Sequence, residues 1–294
     1  MSSVAVIGLG EIGRAIAGRL VDRGHDVLAC DHHEAAIETL VALGAGITTK
    51  ASDCASCDVV LVVVANDAQV RDVLVGADGL LSQAPQVQPP VVVVMSTVSV
   101  QAVKDMDRAC RERGLALVDA PLSGGAPRAA DGTLSLMVGG GDADVRRAQP
   151  VLDDLAAQVF HVGDVGAGAM IKIVNNMICA GSVFLSAEAF RLAGENGVAL
   201  ADLLPVLEAS SGRSFLTDDL DYAFGTYAGI TSSRELFEHT VASMRKDLKL
   251  AEGVAAQSAG AYPLLTGLAE ILSTLGAETF ENWNQVGRPA SQLT

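Results

Sequence analysis

The first half of the chain alternates short runs of β-branched residues with segments of helical period. The runs cover Val4–Ile7, Val27–Cys30, Val59–Ala65, Val91–Met95, Ala116–Asp119 and Leu134–Gly139. Several are apolar without interruption, as strands covered on both faces must be. The pattern predicts a doubly wound parallel sheet with crossover helices. From Gly166 onward β-branched clusters thin out, and Ala, Leu, Met and Glu recur at helical spacing. The second half therefore reads as all-α. The glycines of Gly163-Asp164-Val165-Gly166-Ala167-Gly168 allow a sharp change of direction between the two regimes. The expected organisation is an α/β domain over 1–162, then an all-α domain over 163–294 that opens with a long helix.

The first strand runs straight into Gly8-Leu9-Gly10-Glu11-Ile12-Gly13 and then into an amphipathic helix carrying Ile16, Leu20 and Val21. In a Rossmann-type dinucleotide site the first glycine makes the turn, the second admits the pyrophosphate and the third lets helix pack on strand. The second strand ends in Asp31, 18 residues beyond Gly13. A carboxylate there can bind the ribose hydroxyls and repel a 2′-phosphate, so NAD is expected in preference to NADP. A glycine turn in another α/β protein, with Asp31 capping a helix, is the plainer alternative. His32 and His33 read more simply as a solvated pair than as metal ligands.

Composition narrows the possibilities. Half of the 294 residues are hydrophobic and 19% are charged, enough apolar material for packed domains. Asp and Glu outnumber Lys and Arg by 35 to 20, for a net charge of -15 and a pI near 4.6, which disfavours nucleic-acid binding. No apolar run approaches the roughly 18 residues of a membrane span, and Ile173–Ala187 reads as a buried helix. Met1-Ser2-Ser3 leads directly into the first strand with no room for a secretion signal, so a cytoplasmic location is expected. The five cysteines do not form a disulfide pattern. Cys54-Ala55-Ser56-Cys57 is a CxxC, but no second pair with ligand spacing completes a zinc site.

Asp119-Ala120-Pro121-Leu122-Ser123-Gly124-Gly125 leaves a strand into a small-residue loop whose N–H groups and hydroxyl suit a carboxylate. It is equally readable as an ordinary loop. Downstream, Lys172 and Asn176 are four residues apart, on one face of the predicted helix. From spacing alone, Lys172 is more simply a helix-end lysine reaching to solvent beside a capping asparagine.

The segments GLGEIG, DAPLSGGAPRAADGTLSLMVGG, GAGAMIKIVNN and MRKDLKLA, in this order, resemble the β-hydroxyacid dehydrogenases, relatives of 6-phosphogluconate dehydrogenase. The resemblance implies that Lys172 is the general acid/base, that Asn176 helps hold the substrate, and that Ser123, Gly124 and Gly125 grip its carboxylate. It further implies that Val64, Ala65, Asn66 and Thr97 line the nicotinamide, with Ser96 beside Thr97. Lys246 would close over a site lying between the domains, with Asp247 its neighbour. A small carboxylate substrate, a homodimer or homotetramer, and no resident metal are expected. Burial would lower the pKa of Lys172 and so allow it to act as a base.

Some positions depart from the family pattern. Val64–Val70 and Arg128 look like the L-threonate branch, whereas Ile173–Met177 and Ser211–Ser214 look like the hydroxyisobutyrate branch. His239 replaces a phenylalanine, and Ala277–Trp283 replaces the usual C-terminal pattern. Two functions are weighed: an NAD-dependent 3-hydroxyacid dehydrogenase, and a catalytically idle NAD-binding sensor or scaffold. Lys172 favours the enzyme, since a binding module needs no lysine in an apolar helix.

Overall fold

A computed structural model describes residues 1–33, 40–82 and 88–287. It divides into two compact units, Met1–Lys172 and Ile173–Thr294. The division falls ten residues later than the expected junction, inside a helix, because the first turn of that helix is bonded to the sheet.

The first unit holds β1 (Ser3–Ile7), α1 (Glu11–Asp22), β2 (Asp26–Cys30), β3 (Gly46–Thr48), β4 (Val59–Val62), α2 (Asp67–Val75), β5 (Val91–Val94), α3 (Val100–Glu112) and β6 (Ala116–Asp119). There follow β7 (Leu122–Ser123), α4 (Gly125–Asp131), β8 (Leu134–Gly139), α5 (Asp142–Leu155) and β9 (Ala156–Gly163). The strands lie in the order β3-β2-β1-β4-β5-β6-β8-β7, with β9 paired to β8. Successive residues of each central strand feed opposite cores. Val4, Val6, Leu61 and Val93 pack with Ile16 and Leu20 of α1, and Ala5, Ile7, Val62 and Val94 pack with Leu74 of α2 and Met106 of α3. That two-sided burial is why Val59–Val62 and Val91–Val94 are apolar throughout.

The expected sheet is present, but it is mixed. Leu134–Gly139 pairs antiparallel with β6 and β7, and β3, β7 and β9 have no counterpart among the expected runs. β3 and β7 are too short to show a period, and β9 is largely exposed, so it carries no apolar signature.

A 29-residue helix, α6 (Ala167–Glu195), begins at the end of the first unit. The second unit adds α7 (Leu200–Glu208), α8 (Leu220–Ile230), α9 (Arg234–Ala255), α10 (Pro263–Ser273) and α11 (Ala277–Val286). Asp219 caps α8 and Ser233 caps α9, each accepting a backbone N–H from three residues on. The core of this unit is aromatic: the Trp283 ring lies edge-on to Phe184, Tyr227 and Phe237 at 4.9, 5.6 and 5.7 Å. The unusual Ala277–Trp283 segment thus supplies the centre of the helical core.

α6 corrects two expectations. By length and hydropathy it could cross a membrane, because Ile, Val, Leu and Phe outweigh its few polar residues; one third (33%) of its most apolar window is buried. Nor is Ile173–Ala187 buried all round: Val183 and Ala187 enter the core, whereas Val174, Ile178 and Leu185 are exposed.

Candidate active site

Parallel register brings the carboxyl ends of five strands to one edge. Cys30 of β2 is level with Ile7 of β1, Ile7 with Val62 of β4, Val62 with Val94 of β5, and Val94 with Asp119 of β6. The candidate site residues follow these positions, and β1 lies where the strand order reverses, the usual position of a ligand crevice.

At the end of β1, Gly8 has a φ of +95°, and a β-carbon on it would lie 2.4 Å from the Val63 carbonyl oxygen. A β-carbon on Gly13 would lie 1.8 Å from the Gly8 oxygen. The fold itself demands both glycines. Gly10 differs, since a β-carbon there would meet nothing within 4 Å. It opens α1 without a side-chain cap, between Leu9 and the first helical residues Glu11 and Ile12. Asp31 is fixed against this turn: its Oδ2 accepts from Leu9 N at 2.6 Å and its Oδ1 from His33 N at 3.0 Å. Arg14, which the sequence reading passed over, donates to the Leu9 carbonyl at 2.8 Å from the opposite side.

Val64, Ala65 and Asn66 follow β4, and Ser96 and Thr97 follow β5. Buried Ser96 joins them, its hydroxyl accepting from Val64 N at 2.9 Å. Ala65 N donates to Gln69 Oε1 at 2.8 Å, and Asn66 Oδ1 caps α2 by accepting from Gln69 N at 3.0 Å. The Asn66 side chain therefore has a structural task here.

Ser123 ends β7, opposite Ser135 of β8. Gly124 and Gly125 follow with φ of +133° and +68°, conformations that L side chains rarely adopt. Arg128 folds back over this loop, its Cδ 2.8 Å and its Nε 3.2 Å from where a Gly124 β-carbon would be. Four residues before Ser123, Asp119 is 1% exposed, and its carboxylate receives Gly166 N on Oδ1 and Ala169 N on Oδ2, both at 2.7 Å. Burial pushes the Asp119 carboxyl above its ordinary value, and the backbone N–H bonds oppose that shift. Lys172, 8% exposed, lies three residues beyond Ala169 on α6. It is a buried lysine, not one reaching to solvent.

One turn on, Asn176 belongs to a chain of polar contacts in the second unit. Asn175 Nδ2 donates to Asn176 Oδ1 at 3.1 Å, and Asn176 Nδ2 donates to Asp247 Oδ2 at 2.7 Å. Lys246 Nζ stands 3.1 Å from Asp247 Oδ1. The sequence reading gave Asp247 no role of its own; a carboxylate between a lysine and a leucine in a helical run carries no signal until the fold sets α9 against Asn176.

Comparison with known proteins settles the family. Residues 3–163 match the NAD binding domain of 6-phosphogluconate dehydrogenase, and residues 166–286 match the NAD-binding domain of NADP-dependent 3-hydroxyisobutyrate dehydrogenase. The NAD-dependent L-serine dehydrogenase of Pseudomonas aeruginosa is 33% identical over 267 residues, 90% of this chain and 89% of that one. The 3-hydroxyisobutyrate dehydrogenase of the same organism is 34% identical over 284 residues, 95% and 93% of the two chains. A solved structure of the Mycobacterium tuberculosis 3-hydroxyisobutyrate dehydrogenase with L-serine superposes with a TM-score of 0.82 at 29% identity, covering 98% of this chain and all of that one.

The chain belongs to the β-hydroxyacid dehydrogenase family. It is an oxidoreductase acting on CH–OH with a nicotinamide cofactor. The glycine turn fits such a cofactor: Gly10 is the glycine that internal packing does not require, and its missing side chain leaves the uncapped start of α1 open to a pyrophosphate.

Cys54 and Cys57 are buried. Burial pushes the Cys57 thiol up to about 11, which makes it a poor nucleophile. Among the described residues no three His, Cys, Asp or Glu side chains gather as a metal site. His239, which stands where the family has a phenylalanine, is exposed on α9.

Proposed function

We propose that this β-hydroxyacid dehydrogenase interconverts a small 3-hydroxy acid and its semialdehyde or keto acid, using NAD in preference to NADP and Lys172 as general acid/base. Burial of Lys172, one turn from Asn176, carries the reading: lysines are rarely buried, and buried titratable groups gather at functional sites. In the oxidative direction its amine takes the proton from the substrate hydroxyl oxygen, and in reverse its ammonium returns a proton to the carbonyl oxygen. The bound nicotinamide accepts or returns the hydride. Ser123 and the N–H groups of Gly124 and Gly125 hold the substrate carboxylate, with the Arg128 guanidinium close by. Asn176, oriented by Asp247, holds the substrate near Lys172, and Lys246 pairs with that carboxylate from the next position.

The negative charge of the chain gives no long-range attraction to an anion, so recognition of the carboxylate rests on these local donors. Asp31, fixed by Leu9 and His33, supports NAD, because a carboxylate there would repel a 2′-phosphate. Val64, Ala65, Asn66 and Thr97 follow the strand ends that would flank the nicotinamide. L-Serine and 3-hydroxyisobutyrate, the substrates in the relatives' names, share a carboxylate and a hydroxymethyl group on one carbon, which makes that class the first choice. Arg128 keeps a longer sugar acid such as L-threonate as the second. The exposed stripe of Val174, Ile178, Leu185 and Leu192, spaced by four and then seven residues, supports association of copies as a homodimer or homotetramer.

The test is nicotinamide absorbance during turnover, with NAD(H) and NADP(H) in parallel, over 3-hydroxyisobutyrate, L-serine, L-threonate and small semialdehydes. Replacement of Lys172 by Met should lower kcat by about 10²- to 10⁴-fold and leave NADH binding intact. NADH binding without turnover on any of these would instead favour an idle sensor.

A further inference from the structure

We propose that Asp119 is a positioning residue that sets Lys172 in place for proton transfer by clamping the first turn of α6. Both of its oxygens accept backbone N–H groups from that turn, Gly166 on one and Ala169 on the other, each at 2.7 Å. Each carboxyl oxygen thus holds a different backbone N–H of the turn, so the turn is fixed at two points. The same turn is pressed against the sheet. A β-carbon on Gly168 would lie 2.1 Å from the Met137 carbonyl oxygen and 2.9 Å from Asp119 Oδ2. Lys172 follows Ala169 by three residues, about 4.5 Å along the axis at 1.5 Å per residue, so a shift of the clamp moves the backbone that carries Lys172.

Asp119 accepts two backbone N–H groups at once, one on each oxygen, whereas an asparagine side chain would offer a single acceptor oxygen there. Its carboxyl is raised, with burial as the largest cause. A carboxyl raised in the folded state weakens the fold at neutral pH relative to a solvated one, and stops doing so as pH falls through the raised value. The rigid pair of charge-assisted bonds fixes the backbone three residues before Lys172.

The inference rests on Lys172 being the acid/base, and the experiment separates the two claims. Wild type, Asp119→Asn and Lys172→Met are compared for NADH binding stoichiometry, kcat, and the kinetic isotope effect with 3-hydroxyisobutyrate or L-serine deuterated at C3. We expect Asp119→Asn to bind one NADH per chain, to lose about 10- to 100-fold in kcat, and to show a larger isotope effect as the chemical step becomes limiting. Unchanged kcat and isotope effect would overturn the proposal. So would activity and NADH binding that fall together with an unchanged isotope effect, because that pattern is loss of folded protein alone. Should Asp119→Asn fail to fold, the same readings on Asp119→Glu, which keeps the charge but moves it by one methylene, decide the matter; failure of both to fold would assign Asp119 to stability only. Full activity in Lys172→Met would overturn the acid/base reading itself.

Discussion

Asn176 Nδ2 donates to Asp247 Oδ2 at 2.7 Å, joining residues 71 positions apart in the sequence. The bond takes one of the two amide N–H groups of Asn176 and fixes the direction of the other. Replacing Asp247 by Ala should therefore release Asn176 and the Lys246 ammonium together. The expected outcome is a rise in substrate KM of about tenfold, the cost of one charge-assisted hydrogen bond near 1.4 kcal/mol, with the NADH dissociation constant moving less. Steady-state kinetics and NADH fluorescence titration check this; an unchanged substrate KM would show that Asn176 does not need the carboxylate.

The glycine turn separates packing from binding. Gly13→Ala places a β-carbon 1.8 Å from the Gly8 oxygen, whereas Gly10→Ala meets nothing within 4 Å. Thermal unfolding should show Gly13→Ala destabilised by about 2 kcal/mol or more, as overpacking against backbone requires. Gly10→Ala should melt within a few degrees of wild type while the KM for NAD rises. Equal melting losses in both variants would refute the distinction.

Asp31 should govern cofactor choice. Removing its carboxylate in Asp31→Ser should lower the ratio of kcat/KM for NAD over NADP by about tenfold or more, chiefly through improved use of NADP. The turn should loosen as well, because Leu9 N loses its 2.6 Å acceptor. A ratio that does not move would place cofactor discrimination elsewhere.

The Asp154 carboxylate stabilises the first unit in a pH-dependent way. It accepts from His25 Nε2 at 2.9 Å and from Arg23 Nε at 2.7 Å, and the His25 bond is the main reason its carboxyl is held below the ordinary aspartate range. A depressed carboxyl contributes stability that is present above its unfolded pKa, about 3.9, and is lost as pH falls through the lower folded value. The melting difference between wild type and Asp154→Asn should therefore be present at pH 7 and shrink steadily below pH of about 4. A constant difference from neutral to acid would show that the pair does not stabilise through its charge.

Local signals made the parallel core of the sheet, the glycine turn and the helical second half legible. Val59–Val62 and Val91–Val94 are apolar because both faces are covered, and GLGEIG follows its strand without an intervening residue. Lys172, Asn176 and the Ser123-Gly124-Gly125 loop were legible only as members of an ordered set of motifs, since each alone has an ordinary structural explanation. Order and spacing along the chain thus determined the fold class, the cofactor type and the candidate site residues.

Contacts between distant segments carry no local period, and these the tertiary structure alone decided. Asp119 meets Gly166 and Ala169 across 47 and 50 residues, and Asp247 meets Asn176 across 71. The antiparallel turn of Leu134–Gly139 depends on which strand it reaches, not on its own composition. Likewise, Ile178 and Leu185, 62% and 70% exposed, read as core residues until packing turns Val183 and Ala187 inward instead. A helix rich in apolar residues on every side has no period to say which face is covered, so burial had to come from its neighbours.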